Sequence, residues 1–522
     1  MMRRILVAAI SAVLSACAMP PASPSVSFAP PPPAGSDAET QAWWAITGEL
    51  SADALEGRDT GSEGYDRAAK IVVARFQHAG LKPGGEDGKW TQRILLHEAQ
   101  VEKSGTRFDI VRANGGRTNL DFLRQITVRA TDELPASLDA SLSFRGYCSA
   151  AEMSEKMFGK VAVCFGGRRR GVPSAADRIK AAIDAGAVGL INVDDPGFTI
   201  EPARWPEAYA RSVSILGAPP IAAPKLAVMR LSPAALADVI EGSGFKAEDI
   251  LLAGAASQPL PSFNIPARLQ TLFKSSQRNY FADNVLGLLP GVDPKLAPEV
   301  VVVSAHLDGY GIGEAVAGDT LYNGAFDDAA YVAALIRLAE NRHGKGFRRT
   351  VLFAAFTGEE KGLLGSTWFT QHPTVSRTNL AADINLDQLR PLFALKILTM
   401  HAINDTTLGA MVLSVAKPMG IEIREDREPE RNLNSRADHY PFLRAGVPAT
   451  GFIFGFNPGT EAERRYREWY QVRYHRPQDD MTQPIDFKAA ADFNRFFYRL
   501  TAAVADADAR PSFLPGSAFA PH

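Results

Sequence analysis

The sequence predicts an α/β protein with a mostly parallel mixed sheet, helices on both faces, and an inserted small β-rich module. First, short β-branched runs alternate regularly with helical stretches after about residue 284. Second, runs such as 300–304 are apolar throughout, which is typical of strands covered on both faces. Third, the pattern changes between 131 and 260, where two buried strands at 160–164 and 189–193 flank one helix. Together these patterns indicate a main domain interrupted by a smaller one.

The spacing of apolar residues predicts the individual helices and strands. Ala68, Val72 and Phe76 recur at helical spacing, which predicts a helix over 65–78 that ends before Gly80. The later part of the chain alternates strands and helices. The predicted strands are 300–304, 350–356, 381–386 and 449–454, and the predicted helices are 327–341, 363–371, 406–419 and 487–505.

The length of 522 residues exceeds one average domain, so we divide the chain by composition. The predicted parts are a signal peptide at 1–16, a Pro-rich tether at 17–38, the first part of the main domain at 39–130, the insert at 131–260, the rest of the main domain at 261–507 and a flexible tail at 508–522. The net charge of −2 differs from the strongly basic charge that is typical of proteins that bind nucleic acid, so we expect no nucleic-acid partner. The sequence does not define an oligomeric state.

The N-terminus has the pattern of an export signal. Arg3 and Arg4 precede a short apolar run at 5–14, which is too short to span a bilayer, and the segment Leu14-Ser15-Ala16-Cys17 resembles a bacterial lipobox. We therefore expect an exported protein that contacts the membrane only through a lipid on Cys17. With Ala18 following the cysteine, the outer membrane is the expected site in a Gram-negative organism. The alternative is an ordinary signal peptide with an incidental cysteine.

Two cysteines, Cys148 and Cys164, remain after such processing. In an exported protein they can form a disulfide, but two separate buried thiols fit the sequence nearly as well.

Polar clusters lie mostly just after the predicted strands. His306 and Asp308 follow the first strand, and residues two apart in extended chain face the same way, so these two side chains can converge. Asp327 stands at a helix start, where a carboxylate could bridge two cations. Glu359 and Glu360 are adjacent and should point differently, so one can bind metal while the other handles a proton.

Two more clusters complete the set: Asp387 ends the next strand, and Tyr474-His475 lies in a late loop. Taken singly, each cluster has an ordinary explanation, such as an acidic helix start that complements the helix dipole or a glutamate pair on a solvated face. Five clusters in order within one strand–helix alternation favour a functional site. The remaining histidines that we examined are expected to be surface or incidental residues: His78, His343, His372, His401 and His522.

The arrangement resembles metallopeptidase family 28, the two-zinc aminopeptidases and relatives such as glutamate carboxypeptidase. The segments that carry the resemblance are SAHLDGYG at 304–311, YNGAFDDAA at 322–330, GEEKGLLGS at 358–366, NLDQ at 385–388 and YHRPQDD at 474–480, with GRDTGSEGY at 57–65 and SRADHYPFLRAGVPA at 435–449 in support. The resemblance implies the zinc-peptidase (phosphorylase/hydrolase-like) fold. It also implies that the insert is a protease-associated domain.

By this resemblance the chain would be an exopeptidase acting on peptide substrates, most simply an aminopeptidase, with two Zn²⁺ ions. One zinc would be held by His306 and Asp387 and the other by Glu360 and His475, with Asp327 bridging them. The catalytic residues would be Glu359 as general base, Asp308 orienting the first histidine, and Tyr474 polarising the substrate carbonyl. Where the family often has Asp-Asn, this chain has Asp327-Asp328, and Asp328 is expected to lie behind the ligands.

Three other functions were weighed. A serine hydrolase is disfavoured because the sequence has no GxSxG motif. A carboxypeptidase would need basic side chains near the metals; Arg431, Arg436 and Arg473 are candidates, and the alternative is that they are simply solvated. A non-catalytic binding homologue would be expected to lack ligands or the base, whereas this chain keeps all of them.

Overall fold

The computed structural model describes residues 36–154, 157–167, 171–217, 226–387 and 389–521. The predicted signal peptide, the predicted lipid attachment site at Cys17 and most of the predicted tether lie outside the described residues. Within the described ranges, no helix has the length and apolar character needed to cross a membrane.

The main sheet is mixed, and its parallel half carries the strands that were predicted from the apolar runs. Val300–His306 pairs in parallel with both Thr350–Phe356 and Leu380–Asn385. The full strand order is Ala449–Thr450, Leu380–Asn385, Val300–His306, Thr350–Phe356, Ser275–Leu289, Thr91–Val101 and Ala210–Ile215, and Lys82–Pro83 pairs with Ser275–Leu289. Ser275–Leu289 pairs antiparallel with Thr350–Phe356, Thr91–Val101 and Lys82–Pro83. Thr91–Val101 also pairs antiparallel with Ala210–Ile215. The predicted mixed α/β fold is thereby confirmed.

Helices cover both faces of this sheet, as the apolar strands require. Along the central strand, Val301 and Val303 pack into one hydrophobic cluster, while Val300 and Val302 pack into another on the opposite face. The helices of the main domain are Ala38–Leu50, Glu63–His78, Ala330–Arg342, Leu364–Gln371, Leu408–Ala416, His439–Arg444, Glu461–Val472 and Phe487–Ala505. The helices Ala175–Asp184, Leu236–Ile240 and Ala247–Ala255 belong to the insert.

A second sheet forms the insert. Its strand order is Arg117–Asn119, Arg107–Arg112, Ser262–Leu272, Ser137–Arg145, Lys160–Phe165, Gly189–Val193, Ala227–Leu231 and Ile126–Val128. The outer strands lie beyond the limits of 131 and 260 that we set from the sequence, so those limits are too narrow. They were missed because the half-exposed strand Arg107–Arg112 and the alternating strand Ser262–Leu272 lack a continuous apolar run. Cys148 and Cys164 form a disulfide within this insert.

Two small sheets complete the structure. Gly311–Val316 pairs with Asp319–Tyr322, and Ile397–Met400 lies between Glu422–Arg424 and Phe452–Gly455. The single strand predicted at 449–454 is therefore divided at Gly451 between two sheets. A Cβ at this glycine would lie 3.2 Å from His439 Nδ1, so the chain changes sheets where it approaches another side chain closely.

The C-terminal segment that was predicted to be a flexible tail packs against the main domain in the structure. Phe513 and Phe519 pack against the cluster that contains Phe442. The main chain is also paired: Leu514 N–H donates to the Asp405 carbonyl, and Thr407 N–H donates to the Ser512 carbonyl. The proline-rich and small-residue composition suggested a loose end, but two aromatic side chains are enough to fix it to the domain.

Candidate metal centre

The carboxyl ends of three neighbouring parallel strands bring the first group of polar residues together. His306 is the last residue of its strand, Glu359 and Glu360 follow the strand Thr350–Phe356, and Asp387 follows Leu380–Asn385. Since these strands are parallel neighbours, their ends lie at one edge of the sheet. All four of these side chains are buried or nearly so.

Asp327 occupies the centre of the site. It lies in the turn Ala325–Ala329, before the helix Ala330–Arg342. Its Oδ1 is 3.4 Å from His306 Nε2, and its Oδ2 is 3.4 Å from His475 Nε2. One carboxylate thus faces two imidazoles, one with each oxygen, which is the arrangement expected of a bridging ligand.

The half of the site around His475 contains three donor groups. His475 Nε2 lies 3.3 Å from Glu360 Oε2, and donor atoms of Asp327, Glu360 and His475 lie within 4.8 Å of one another. Burial lowers the pKa of His475 to about 3, against the attraction of Asp327. The imidazole is therefore neutral at physiological pH and has a lone pair available for a cation.

The half around His306 has a different set of neighbours. Donor atoms of His306, Asp328 and Asp387 lie within 4.8 Å of one another. Asp328 Oδ2 accepts the main-chain N–H of His306 at 3.1 Å, whereas its Oδ1 is buried without a hydrogen-bond partner. Asp328 thus supports the histidine, as expected from the sequence, and also presents one oxygen that sequence reasoning did not consider as a donor.

Glu359 and Glu360 point to different halves of the site. Glu359 Oε2 lies 4.0 Å from His306 Nε2, while Glu360 faces His475. Burial raises the pKa of the Glu359 carboxyl well above its ordinary value, with His306 acting in the opposite direction and Asp387 adding to the rise. Such a carboxylate binds a proton more strongly than a solvated one, which suits a general base.

Asp308 acts on the site differently from the sequence-based assignment. His306 Nδ1 donates to the main-chain carbonyl of Asp308 at 3.0 Å, whereas the carboxylate Oδ1 is 3.7 Å from the ring. The Asp308 carboxylate instead accepts the main-chain N–H groups of Glu359 and Glu360, at 3.1 and 3.3 Å. Since a carbonyl only accepts, His306 Nδ1 carries a proton, and Nε2 is the ring nitrogen that faces the site.

Tyr474 lies beside His475, and Arg436 holds its hydroxyl group. Arg436 Nη2 donates to the Tyr474 hydroxyl oxygen at 3.2 Å, which leaves the phenol proton free to donate elsewhere. Burial raises the pKa of Tyr474, with the Arg436 guanidinium opposing the rise and the carboxylates of Asp327 and Glu360 adding to it. The phenol therefore stays protonated and can donate to a substrate oxygen.

Four further residues support the site and were not identified from the sequence. The Tyr310 hydroxyl lies 2.7 Å from His475 Nδ1, and Asp479 Oδ1 accepts the main-chain N–H of Phe326, next to Asp327. Arg58 is fully buried and donates to main-chain carbonyls of both ligand-bearing loops, including Leu307 and Gly324, and Arg390 Nη2 lies 3.3 Å from Asp327 Oδ1. Arg58, Tyr310 and Asp479 belong to the motifs GRDTGSEGY, SAHLDGYG and YHRPQDD, whereas Arg390 lies outside the motifs that carried the resemblance.

Buried atoms without partners test whether a cation fits here. His306 Nε2, Asp327 Oδ2 and Glu360 Oε1 are all buried and accept no hydrogen bond within the described residues. Leaving such groups unsatisfied is costly, whereas a divalent cation would satisfy them together. Two imidazole nitrogens with several carboxylate oxygens are a donor set suited to zinc.

A cavity of about 510 Å³ opens beside this centre, between the insert and the main domain. Tyr310 and His475 line its inner end, and Glu201 and Arg204 of the insert line another side. The volume is in the range of small-ligand sites, so a short peptide segment could enter.

The other histidines that the sequence analysis named lie apart from the site where the structure describes them. His78, His343 and His372 are exposed as expected, but His401 is buried against His439.

The fold and the site define an α/β protein with a metal-binding edge of the sheet. Residues 284–501 match the model of peptidase family M28. The family resemblance inferred from the sequence is thereby confirmed for this part of the chain.

Individual relatives agree with this assignment. A probable zinc metalloprotease from Pyrenophora tritici-repentis is 29% identical over 195 residues, which cover 32% of this chain and 44% of that protein. The chain spans less than half the length of the curated relatives that it matches.

Solved structures resemble most of the chain. An aminopeptidase from Aneurinibacillus sp. strain AM-1 has a TM-score of 0.60 at 17% identity, covering 91% of this chain and 95% of that one. A zinc aminopeptidase from Bacillus subtilis has a TM-score of 0.55 at 16% identity, covering 90% and 95%. At these identities the likeness establishes the fold.

Proposed function

We propose that the protein is a zinc-dependent exopeptidase that binds two zinc ions, and that it releases N-terminal residues from peptides as an aminopeptidase. The observation that carries the proposal is the Asp327 carboxylate, whose two oxygens face His306 and His475 at 3.4 Å each. Asp387 would complete the His306 side, and Glu360 the His475 side. The names of similar proteins, which include a probable leucine aminopeptidase from Aspergillus oryzae and zinc aminopeptidases, support this class.

Zinc bound in this centre would lower the pKa of a water molecule and polarise the scissile carbonyl. Glu359 would accept the proton of that water and pass it to the leaving amine, since its carboxylate lies in the site and its raised pKa favours proton binding. The Tyr474 hydroxyl would donate to the oxyanion of the substrate, with Arg436 holding the phenol oxygen in place. Asp308 would keep Glu359 in register through the hydrogen bond to its main-chain N–H.

Peptide profiling tests the proposal. Zinc-loaded protein is given one peptide with a free N-terminus and the same peptide acetylated at the N-terminus. We expect release of the N-terminal residue from the first and at least a hundredfold slower cleavage of the second, roughly the discrimination that an unpaired buried group imposes. Equal cleavage of both peptides would rule out an aminopeptidase. No cleavage of any peptide by zinc-loaded protein would favour a binding homologue.

A carboxypeptidase is the second candidate, because guanidinium groups outnumber carboxylates at one side of the cavity. Glu201 is the shared partner of Arg436 at 2.9 Å, Arg431 at 3.4 Å and Arg204 at 3.8 Å. Arg204 Nη1 and Arg431 Nη2 are buried without a hydrogen-bond partner within the described residues. Arg473 contributes less, since it donates to the Gln478 carbonyl and lies 3.7 Å from Asp480.

A free C-terminal carboxylate would be the natural partner for these groups. A dipeptide and its C-terminal amide separate the two candidates. A carboxypeptidase must lose activity on the amide, whereas an aminopeptidase is expected to cleave both.

We further propose that the insert is a protease-associated domain and that the protein is exported with a lipid on Cys17. The Cys148–Cys164 disulfide supports export, since disulfides persist in oxidising compartments. The lipid is tested by growing cells with labelled palmitate. We expect label on the wild-type protein and none on Cys17→Ser; label on both proteins would contradict the anchor.

A further inference from the structure

Arg390 is a fully buried cation directly behind the bridging carboxylate. Its side chain is 0% exposed, and its Nη2 lies 3.3 Å from Asp327 Oδ1. Nη1 is fixed by hydrogen bonds to the main-chain carbonyls of Phe326 at 2.9 Å and Leu389 at 2.7 Å. The guanidinium also lies over the Trp469 ring, 4.5 Å from its centroid. The group therefore has a fixed position and cannot turn away from Asp327.

The guanidinium contacts only one side of the bridge. Asp327 Oδ1 is the oxygen that faces His306 Nε2, whereas Oδ2 faces His475 Nε2. A cation on the His306 side would share Oδ1 with Arg390. A cation on the His475 side would take the other oxygen.

The remaining cations near the site have other partners. Lys361 is paired with Asp59 at 3.0 Å, and Arg58 donates its N–H groups to main-chain carbonyls. Arg204 lies over the Tyr474 ring, 4.5 Å from its centroid, on the cavity side of the site. Among the arginine and lysine side chains of the described residues, Arg390 is thus the one that pairs with the bridging carboxylate.

We propose that Arg390 makes the two halves of the metal centre unequal: it weakens cation binding on the His306 side and stabilises the acidic cluster before metal arrives. This inference rests on the proposed metal centre. A guanidinium stays charged in proteins, so it cannot lose its proton to make room for an incoming cation. It attracts the carboxylates when no metal is bound, and it repels a divalent ion that shares Asp327 Oδ1. Arg390 is therefore a positioning residue, and it acts through Asp327.

Zinc titration of the metal-stripped full chain tests the proposal. Zinc affinity is measured by competition with a chromophoric chelator, and thermal unfolding is recorded for stripped and loaded protein. We expect the wild type to bind zinc in two steps of different affinity. In Arg390→Met, which keeps an unbranched side chain without the charge, the weaker step is expected to tighten by about ten- to a hundredfold. Its stripped form is expected to melt at a lower temperature than the stripped wild type.

Two further variants make the result specific. Arg390→Lys keeps the charge and is expected to keep the weaker step close to that of the wild type. Arg349→Met is a matched control, because Arg349 is also 0% exposed and pairs with Glu299 at 2.7 Å, outside the metal centre. We expect it to lower the melting temperatures of stripped and loaded protein alike and to leave both zinc affinities unchanged.

The outcomes separate this inference from the proposed function. Two equal zinc steps in the wild type overturn the role of Arg390, even if Arg390→Met does not fold. Unchanged zinc affinities in a folded Arg390→Met also overturn it, and would leave only a packing role. A wild type that binds no zinc removes the proposed metal centre itself, and this inference with it.

Discussion

At the scale of single residues, Glu359 and Glu360 illustrate how chain neighbours acquire different chemistry. The Asp308 carboxylate accepts hydrogen bonds from both of their main-chain N–H groups, and these bonds fix the turn that carries the two glutamates. Their side chains then diverge, Glu359 towards His306 and Glu360 towards His475. Consecutive glutamates are thereby placed beside different histidines, although donor atoms of both lie within 4.8 Å of a donor atom of His306.

Replacing the base separates its role from metal binding. We expect Glu359→Gln to bind as much zinc as the wild type, since the Asp327 bridge and both histidines remain. Its turnover is expected to fall by at least about a hundredfold, because no group of similar basicity replaces the carboxylate. Metal analysis and a peptide assay on the same preparation measure both quantities. Near-normal turnover would refute the base assignment, and Asp327→Ala serves as the contrasting variant that loses zinc.

Tyr310 gives a second test at this scale. Its hydroxyl lies 2.7 Å from His475 Nδ1, so it holds the imidazole from the side opposite the metal position. We expect Tyr310→Phe to remain folded and to weaken zinc binding by about tenfold, the lower range for partners that orient a metal ligand. Tyr322→Phe is the control, since Tyr322 stacks on Tyr310 but donates to the Glu314 carbonyl. Equal zinc affinities in the two variants would mean that the contact between Tyr310 and His475 does not contribute to zinc binding.

Some residues of the site could be predicted from the sequence and others could not, depending on whether their position follows from the strand pattern or from contacts in the folded chain. His306, Glu360 and Asp387 come directly after apolar strands, and parallel strands bring their ends together. Tyr310 and Arg390 act through contacts that only the folded chain creates. The Asp308 carboxylate was assigned to the wrong neighbour, since spacing shows that two side chains can converge but cannot show which of them meet.

At the scale of elements, the insert is attached to the main domain by buried ion pairs. Glu201 of the insert contacts Arg431 and Arg436 of the main domain. Burial raises the pKa of the Glu201 carboxyl, but attraction by Arg436, Arg431 and Arg204 outweighs burial and keeps its pKa below the ordinary value. The folded protein therefore favours the charged form of Glu201.

This contact predicts a pH-dependent effect. Because the pKa of Glu201 is lower in the folded than in the unfolded chain, its stabilisation is complete above about pH 5 and is lost as the pH falls through the folded pKa. We expect Glu201→Gln to lower the free energy of unfolding by about 3 kcal/mol at pH 7, since it removes a buried carboxylate that three guanidinium groups share and leaves Arg431 with Glu428 alone as an acidic partner. The difference from the wild type is expected to shrink below about pH 4.5, the ordinary range of a glutamate.

Urea unfolding of metal-stripped protein between pH 4 and 7 measures the effect. Glu461→Gln is the control, because Glu461 is paired with Arg464 and Arg465 on an exposed helix face and its loss is expected to change little. A Glu201→Gln effect that does not depend on pH would contradict an electrostatic origin.

The elements themselves were predictable where a strand is apolar on both faces or a helix carries apolar residues at helical spacing. The strand predicted at 350–356 is found as Thr350–Phe356, and the helix predicted at 487–505 as Phe487–Ala505. The long strand Ser275–Leu289 is exposed along its first part, so its sequence has no continuous apolar run that would predict it. Partners in such antiparallel strands are set by the fold, not by local composition.

At the scale of the whole molecule, the C-terminal tail stabilises the face of the main sheet that lies away from the N-terminal helices. Phe513 and Phe519 pack against the cluster that includes Phe442, next to the strands that carry the metal centre. Arg510 donates to the main-chain carbonyls of Thr378 and Leu380, at 2.8 and 2.7 Å. The end of the chain thus supports the strand that leads to Asp387.

Aromatic substitutions in this tail decide between an ordered and a loose segment. We expect Phe513→Ala and Phe519→Ala each to lower the free energy of unfolding by about 1–2 kcal/mol, since each removes a partly buried ring. Pro515→Ala changes an exposed residue between them and is expected to have little effect. Urea unfolding and limited proteolysis of the three variants provide the measurement. If the phenylalanine variants unfold at the same urea concentration as Pro515→Ala, the tail contributes no packing energy, and the flexible end predicted from its composition is the better description.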